Sequence, residues 1–410
     1  MKDDMSDFYR GGAREISRPP ALWTLAFLSF VLLNLFIFMG FDLLLPTLSL
    51  YLEGHGRSEA EVGRIFGTFT ISAILMRMLA STLARRLEAV WLVRLGLLGC
   101  MLAGVWYFWA DTVPAGMGAR FLHGAGFGLA STLITALASQ IIPPARMGEG
   151  LGYLGLGTTL ALALGPFMGI WLVDEFGYLP MFLVAAAFYA VGIIMVSFLP
   201  RIKLASAAPG SPKPRLVLLS RRVAGPSFLM FLVGVIMSSV SIYMALFCRE
   251  AGLPYAGHFF VLSTIGLFVA RFTAGRIHDR LGPRYIMIPS GLMLLAAMLA
   301  LYETQTRDLL FAASVIYGFA TGAVFPSLQA LALAAVPLSG RTEATAGLFN
   351  AFDLGMGAGS LSLGYLASQV GSYRMVYVGG AGASLALLMF YLVYYELIGR
   401  SKPKPAGGGW

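Results

Sequence analysis

The stretch Thr70–Leu87, TISAILMRMLASTLARRL, decides the fold together with a second stretch that repeats its design. The second stretch is Thr264–Leu281, TIGLFVARFTAGRIHDRL, and Arg271 stands in it 194 positions after Arg77 in the first. Both stretches are apolar, yet each has an arginine in its interior. Because a charged side chain is costly inside a hydrocarbon layer, both arginines require a structural or functional explanation.

The composition of the whole chain is that of a membrane protein. Among its 410 residues, 58% are hydrophobic and only 12% are charged, and the mean hydropathy is +0.78, which leaves too few polar groups to coat a soluble globule. Runs of about 20 apolar residues cross a hydrocarbon layer as helices. The sequence has twelve such runs: 24–51, 62–83, 90–110, 114–140, 149–172, 179–199, 226–248, 257–277, 285–302, 308–336, 343–367 and 374–397. We therefore expect an all-α membrane protein with twelve transmembrane helices.

The distribution of the 29 lysines and arginines predicts how the helices are oriented. Most of them lie in the leader, in alternate loops and in the tail, which is the positive-inside pattern and not the pattern of a nucleic-acid-binding surface. Both termini are therefore expected in the cytoplasm, and the protein is expected in the inner (cytoplasmic) membrane of the cell. We expect a leader at 1–20, a six-helix bundle at 21–199, a basic cytoplasmic linker at 200–225, a second bundle at 226–397 and a tail at 398–410.

The offset of 194 residues extends well beyond the two arginines. A constant register over about a hundred residues predicts that a six-helix unit is duplicated. Because six is an even number of spans, the two copies are parallel, with a central site between them, as in alternating-access transporters. The matched pairs are Ala80 and Ala274, Arg86 and Arg280, Gly124 and Gly318, Gly128 and Gly322, Pro143 and Pro337, Glu149 and Glu343, Gly165 and Gly359, and Gly177 and Gly371.

Three sequence motifs carry a resemblance to a known protein family. The loop GRIHDRLGPR, residues 275–284, resembles the G-x-L-x-D-R-x-G-x-R signature, although its first-half counterpart has Arg85 where the signature has Asp. The segment RFLHGAGFG resembles R-x-x-Q-G, with His123 in place of Gln. The fifth run resembles the glycine motif of the drug:proton antiporter branch through Gly152, Gly165, Pro166 and Gly169, with Ala161 and Ile170 in place of two glycines. The resemblance is to the major facilitator superfamily; it implies a twelve-helix major facilitator fold and favours export.

The charges near the cytoplasmic ends have two interpretations. The resemblance implies that Asp279, Arg280 and Arg284 form a cytoplasmic latch, whereas a solvated basic loop is the alternative. Arg77 lies about 9 Å from the end of its run and can snorkel to water, as can Arg271, so both arginines either anchor the latch region or take part in gating. Two further acids open runs 5 and 11, where the helix dipole favours a carboxylate: Glu149 and Glu343.

Three charges lie deeper in the predicted helices. Asp42, Arg120 and Asp353 are kept there only if each faces a cavity or a partner. Asp353, Gly357 and Gly364 share one helix face lined with small residues. The alternatives are a structural role for Asp353, a position near the outer water interface for Asp42, and snorkelling to the extracellular surface for Arg120.

We expect a proton-driven exporter of small amphipathic or cationic molecules, drug-like or metallophore-like. Asp42 and Asp353 are the predicted proton carriers, with Arg120 and His123 tuning them as the resemblance implies. The predicted cavity residues are Asn34, Phe38 and Asn350. An uptake symporter and a transport-inactive assembly factor or receptor are the alternatives. The predicted partners are the substrate, protons and lipid, for a monomeric protein. We expect no enzyme, because the sequence shows no metal cluster, cofactor motif or nucleophile motif.

Overall fold

The structure is a computed structural model that describes residues 22–84, 86–143, 146–198, 223–336 and 341–398. Several helical residues within these ranges are described by their backbone alone. The predicted leader and nearly all of the predicted linker and tail lie outside the described residues. Within the described ranges the regular secondary structure is helical throughout.

Thirteen α-helices make up the described fold. A short 3₁₀ turn, Tyr107–Trp109, extends α3, and a π-helical segment, Leu392–Ile398, extends α13. The helices are α1 Leu25–Gly54, α2 Glu59–Leu83, α3 Ala89–Trp106, α4 Val113–Ile141, α5 Met147–Phe176, α6 Tyr178–Ser197, α7 Ala224–Ser241, α8 Met244–Glu250, α9 Ala256–Leu281, α10 Arg284–Glu303, α11 Arg307–Ala334, α12 Arg341–Val370 and α13 Met375–Tyr391.

Hydroxyl side chains define the beginnings of several helices. Ser58 caps α2, and Glu61 returns the interaction by accepting a hydrogen bond from the backbone N–H of Ser58. Such caps satisfy backbone donors that have no partner inside the helix. Threonine side chains cap three other helices: Thr24 caps α1, Thr112 caps α4 and Thr306 caps α11.

These helices match the twelve predicted runs, because α7 and α8 together form the seventh run. Of the described helices, ten are long and apolar enough to cross a membrane. The charged helices α9 and α12 are not among the ten. The described apolar part of α9, Ala256–Arg271, is shorter than a span.

The helices form two halves, α1–α6 and α7–α13. In the first half α1 packs on α5 and α6, and α4 packs on α2 and α3; in the second half α12 packs on α7, and α11 packs on α9 and α10. The main contacts between the halves are α2 with α12 and α5 with α9. The expected all-α fold of two six-span halves is therefore confirmed.

The duplication is visible in how glycines pack. A Cβ on Gly124 would collide with the carbonyl oxygen of Phe69, and a Cβ on Gly318 would collide with the carbonyl oxygen of Ser263. Both members of the second contact lie 194 residues after those of the first. The same offset relates the contact of Gly128 with Ala73 to that of Gly322 with Leu267. Backbones can approach this closely only where no side chain intervenes.

Glycines in the left-handed region end equivalent helices in the two halves. Gly177 follows α5 with φ of +82°, and Gly371 follows α12 with φ of +71°. Residues other than glycine rarely adopt these angles. The two positions are also related by the offset of 194, so both halves end this helix at a glycine with positive φ.

Candidate functional site

The contact between α2 and α12 joins the two halves through small residues. We call the side of the molecule where α1 ends and α2 begins the outer side. There a Cβ on Gly63 would collide with the carbonyl oxygen of Ser360, and one on Gly364 would lie 2.6 Å from the carbonyl oxygen of Glu59. Further inward, a Cβ on Gly357 would lie 2.7 Å from Thr70. The predicted small-residue face of α12 therefore packs against α2.

An ion pair between Arg77 and Asp353 lies at the inner end of this contact. The Nη1 atom of Arg77 is 2.8 Å from Oδ2 of Asp353, and each side chain is about one-fifth exposed, at 21% and 20%. Asp353 is twelve residues into α12, about 18 Å along the helix from its start. A cation of one half and an anion of the other thus meet deep within the bundle.

This ion pair corrects the snorkelling interpretation of Arg77. Side chains on a helix point toward its N-terminus, which for α2 is the outer end. The guanidinium of Arg77 therefore extends away from the nearer inner end of α2 and reaches Asp353. Arg120 was expected to tune Asp353, whereas Arg77 is the cation that contacts Asp353 in the structure.

Arg271 is the counterpart of Arg77 in the second half, and its environment differs. It is exposed, and it makes no hydrogen bond or ion pair with the part of the chain that the structure describes. Two arginines that look alike in the sequence therefore have different surroundings.

Arg120 on α4 is enclosed by aromatic rings. It is fully buried, and its guanidinium carbon lies 4.0 Å from the ring centre of Phe66, 5.5 Å from that of Phe69 and 5.6 Å from that of Tyr107. None of its three guanidinium nitrogens makes a hydrogen bond of normal geometry to a described residue. Aromatic faces attract a desolvated cation by about 2 kcal/mol. Arg120 is therefore held by cation–π contacts, and the snorkelling alternative does not describe it.

His123 lies one turn further along α4, between two tyrosines. The hydroxyl of Tyr107 is 2.9 Å from its Nδ1, and the hydroxyl of Tyr189 is 2.8 Å from its Nε2. All three side chains are buried. A neutral imidazole has one donor and one acceptor nitrogen, so one tyrosine donates to the ring and the other accepts from it. The two hydroxyls fix the orientation of the ring beside Arg120.

Asp42 belongs to the same neighbourhood. It is buried in α1, with 4% of its surface exposed, so its side chain is packed within the protein and is not open to solvent. Tyr189 lies within electrostatic range of both Asp42 and Arg120. Arg120 and His123 therefore share a cluster inside the first half, and Asp42 lies within electrostatic range of Tyr189 at its edge, whereas Asp353 pairs with Arg77 between the halves.

The glycine motif of α5 packs against α1. A Cβ on Gly165 would lie 2.8 Å from the Cβ of Asp42, and one on Gly169 would lie 2.6 Å from the carbonyl oxygen of Leu43. Pro166 stands between them within the helix. The motif thus brings α5 close to α1 at Asp42. The surroundings of Gly152 lie outside the described residues.

The three predicted cavity residues have packing partners. Asn34 donates from Nδ2 to the carbonyl oxygen of Leu154, at 3.0 Å, and to Oγ1 of Thr158, at 2.9 Å, so its amide group links α1 to α5. The ring of Phe38 lies 5.2 Å from that of Phe127. Asn350 is buried and is also engaged in an interaction.

The predicted latch is described only in part. Arg280 is exposed, and Arg284 begins α10 with its guanidinium carbon 5.2 Å from the ring centre of Tyr285. Gly282 has φ of +94°, which explains the glycine of the loop signature. The side chains of three predicted residues lie outside the described ones: Asp279, Glu149 and Glu343.

Sequence reasoning missed the partners of the buried charges. Phe66, Tyr107 and Tyr189 look like ordinary members of apolar runs, and they lie on three different helices or turns. Tyrosine hydroxyls in such runs are the available signal, because a buried hydroxyl requires a hydrogen-bonding partner.

Comparison with known proteins shows the family to which the chain belongs. A family model described as Major Facilitator Superfamily matches residues 30–302 and 252–409. The multidrug resistance protein MdtG of Citrobacter koseri is 26% identical over 377 residues, with 84% of this chain and 89% of the relative covered. The staphylopine export protein of Staphylococcus aureus is 21% identical over 376 residues, with 87% and 91% covered.

A solved structure shares the fold over nearly the whole chain. It is a bacterial homologue of the human lysosomal transporter Spinster in an inward-facing and unoccupied conformation. Its TM-score is 0.75 at 15% identity, with 93% of this chain and 98% of that chain covered. Since the family model also matches more than half of the residues, the chain belongs to the Major Facilitator Superfamily.

Proposed function

We propose that this transporter is a proton-coupled exporter of small amphipathic molecules, cationic ones included. The observation that carries the proposal is the Arg77–Asp353 ion pair, which connects the two halves at the inner end of the α2–α12 contact. Alternating access requires the halves to move against each other. An ionisable pair at their interface makes that movement dependent on charge.

The halves touch on the outer side at Gly63 and Gly364, so the outer side is closed, and the ion pair stabilises this arrangement. Glu53 and Arg249 add a second contact between the halves there, at 2.7 Å. This pair is largely solvent-exposed and contributes little by itself. With Asp353 ionised and no substrate bound, the halves therefore stay in one arrangement.

A proton or a substrate cation can release this arrangement. A proton on Asp353 removes the negative charge that holds Arg77, and a cationic group of the substrate can replace Arg77 at the carboxylate. An empty, deprotonated carrier would stay locked. Exchange of a proton for a substrate follows, because either one permits the movement and their absence prevents it.

The direction of transport rests on other features. Packing of α5 on α1 through Gly165 and Gly169 is consistent with the antiporter motif that these residues resemble. The names of two relatives, an export protein and a multidrug resistance protein, also favour export. We propose in addition that both termini are cytoplasmic in an inner membrane and that the linker joins two six-helix bundles. Uptake by the same fold is the alternative.

The test measures ethidium, an amphipathic cation, in energised inverted vesicles. Wild-type protein should concentrate ethidium, and adding ethidium to purified protein should release protons. Asp353→Asn should allow only downhill movement, because its side chain has no proton to release. Asp308→Asn is the matched control, since Asp308 is an exposed acid on the outer side.

Two outcomes would change the proposal. If Asp353→Asn concentrates ethidium and releases protons as wild type does, Asp353 is structural and Asp42 becomes the remaining candidate carboxylate. If external ethidium enters cells faster when the protein is present and a proton gradient is applied, the direction is uptake.

A further inference from the structure

The interface between α5 and α9 is related by the internal duplication to the interface between α2 and α12. Subtracting the offset of 194 from Asp353 gives Thr159, and adding it to Arg77 gives Arg271. The first interface therefore pairs an arginine with an aspartate, whereas the second has an arginine opposite a threonine. Thr159 is buried, and its hydroxyl donates to the carbonyl oxygen of Gly155 at 3.0 Å.

Arg271 lies on the face of α9 that looks toward the other half. Phe260, Thr264, Leu267 and Arg271 have the spacing i, i+4, i+7 and i+11, which is one face of a helix. The first three line a small cavity together with Leu162 of α5. Arg271 thus continues a row of residues that borders the space between the halves.

There is open space on the α5 side of this interface. Gly155, Thr159 and Leu162 lie along one face of α5, with spacing i, i+4 and i+7. A Cβ on Gly155 would meet no atom within 4 Å. A ligand group therefore has room next to the position where the duplication would place an acid.

The position of Arg271 along α9 restricts what can bind there. It lies ten residues before the inner end of the helix at Leu281, about 15 Å along the axis. The last turns of α9 belong to the charged loop signature that begins at Gly275, but side chains on α9 point toward its outer end, so Arg271 extends away from headgroups at the inner surface. A charged arginine on a helix of the bundle is kept where it faces a cavity or meets an anion. An anionic group of the transported molecule can take that place.

We propose that Arg271 binds a carboxylate of the transported molecule, in the place that Asp353 occupies opposite Arg77. This inference rests on the proposed transport function and adds amphipathic molecules with an acidic group to the cationic substrates proposed above. The planar guanidinium can bind such a group through two parallel hydrogen bonds. At the α5–α9 interface the substrate supplies the acidic partner of the arginine, whereas at the α2–α12 interface the protein supplies it through Asp353.

The test uses two fluorescent probes that differ in one group, dansyl-leucine with a carboxylate and dansyl-leucinamide without one. Binding to full-length protein in lipid nanodiscs is measured by fluorescence. Wild type should prefer the acid by at least about tenfold, the value of one charge-assisted hydrogen bond. Arg271→Gln should abolish the preference, and Arg271→Lys should retain part of it because the positive charge remains.

A second variant tests the position without removing Arg271. Thr159→Asp places an internal acid where the duplication has Asp353, so it should compete for Arg271 and reduce the preference for dansyl-leucine. Thr159→Asn has the same size without the charge and should keep the preference. Size-exclusion profiles of all variants show whether each one folds.

Three results would overturn the inference: no preference for dansyl-leucine in wild type, including no binding of either probe; an undiminished preference in folded Arg271→Gln; or equal effects of Thr159→Asp and Thr159→Asn. Binding does not depend on a proton gradient. Selective binding without proton-coupled transport of ethidium would therefore keep this inference and reject the proposed coupling.

Discussion

Removing the negative charge of Asp353 should shift the molecule away from the arrangement that is closed on the outer side. Asp353→Asn keeps the size of the side chain but leaves the positive charge of Arg77 without its partner. The double variant Arg77→Gln with Asp353→Asn removes both charges. No buried charge is then left unpaired. The free-energy change of the conformational equilibrium in the double variant should therefore be smaller than the sum of the changes in the two single variants.

The size of the effect follows from the geometry of the pair. Two unit charges about 4 Å apart attract each other by about 4 kcal/mol at an effective dielectric constant of 20, and lost hydration cancels part of this. With about a fifth of each side chain exposed, the pair is neither a surface pair nor a fully buried one. We expect a coupling free energy of about 1–3 kcal/mol, which changes the conformational equilibrium by roughly 5- to 150-fold.

Distances between two spin labels on the outer side report this equilibrium. Asp111 precedes α4 in the first half, Gln305 precedes α11 in the second half, and both are exposed. Cysteines at these positions can be labelled after Cys100 and Cys248 are replaced by alanine. Pulsed electron paramagnetic resonance should show a short distance in wild type and a larger long-distance population in Asp353→Asn.

The double-mutant cycle decides whether the pair acts as a unit. If the single changes add to within about 0.3–0.5 kcal/mol, the two charges are not coupled and the ion pair has no part in holding the halves together. An unchanged distance distribution in Asp353→Asn would refute the reasoning as well. Asp308→Asn, which removes an exposed acid on the same side, should leave the distribution as in wild type.

Two further predictions concern packing within the membrane. Gly364→Val should separate α2 from α12, because even its Cβ would lie 2.6 Å from a backbone oxygen. The distances between the same two spin labels should therefore lengthen. Gly382→Val is the control and should not change these distances, because a Cβ there meets nothing within 4 Å. Tyr189→Phe removes the hydroxyl next to Nε2 of His123 and should lower the free energy of unfolding by about 1–3 kcal/mol, measured by thermal unfolding in detergent; a melting temperature equal to that of wild type would contradict a structural role for this hydrogen bond.

The helices and the duplication could be predicted because they depend on local composition and on a repeated register. Apolar runs of sufficient length must be helices in a membrane, whatever their neighbours are. The small-residue face at Asp353, Gly357 and Gly364 was also predictable from helical spacing, and it packs against α2. Charged residues did not obscure α9 or α12, because charge lowers hydropathy without changing helical periodicity.

The partners of the charges could not be predicted in the same way. Arg77 and Asp353 are far apart in the sequence and lie in different halves, so their meeting depends on how two complete bundles are placed against each other. The aromatic surroundings of Arg120 likewise come from separate helices. Arg77 and Arg271 look equivalent in the sequence, but this equivalence did not predict which residue each one contacts. Sequence offset establishes corresponding positions but not the residue opposite each of them.

The glycine-lined contact between α2 and α12 affects how much side-chain rearrangement is needed when the two halves separate and rejoin. Gly63, Gly357 and Gly364 have no side chains that must change rotamer or interlock when this surface forms. Each half, by contrast, encloses large buried side chains such as Tyr107 and Tyr377 that resist rearrangement. Because these three positions present only backbone, this contact can separate and re-form with few side-chain rearrangements, while the cores of the two halves stay as they are.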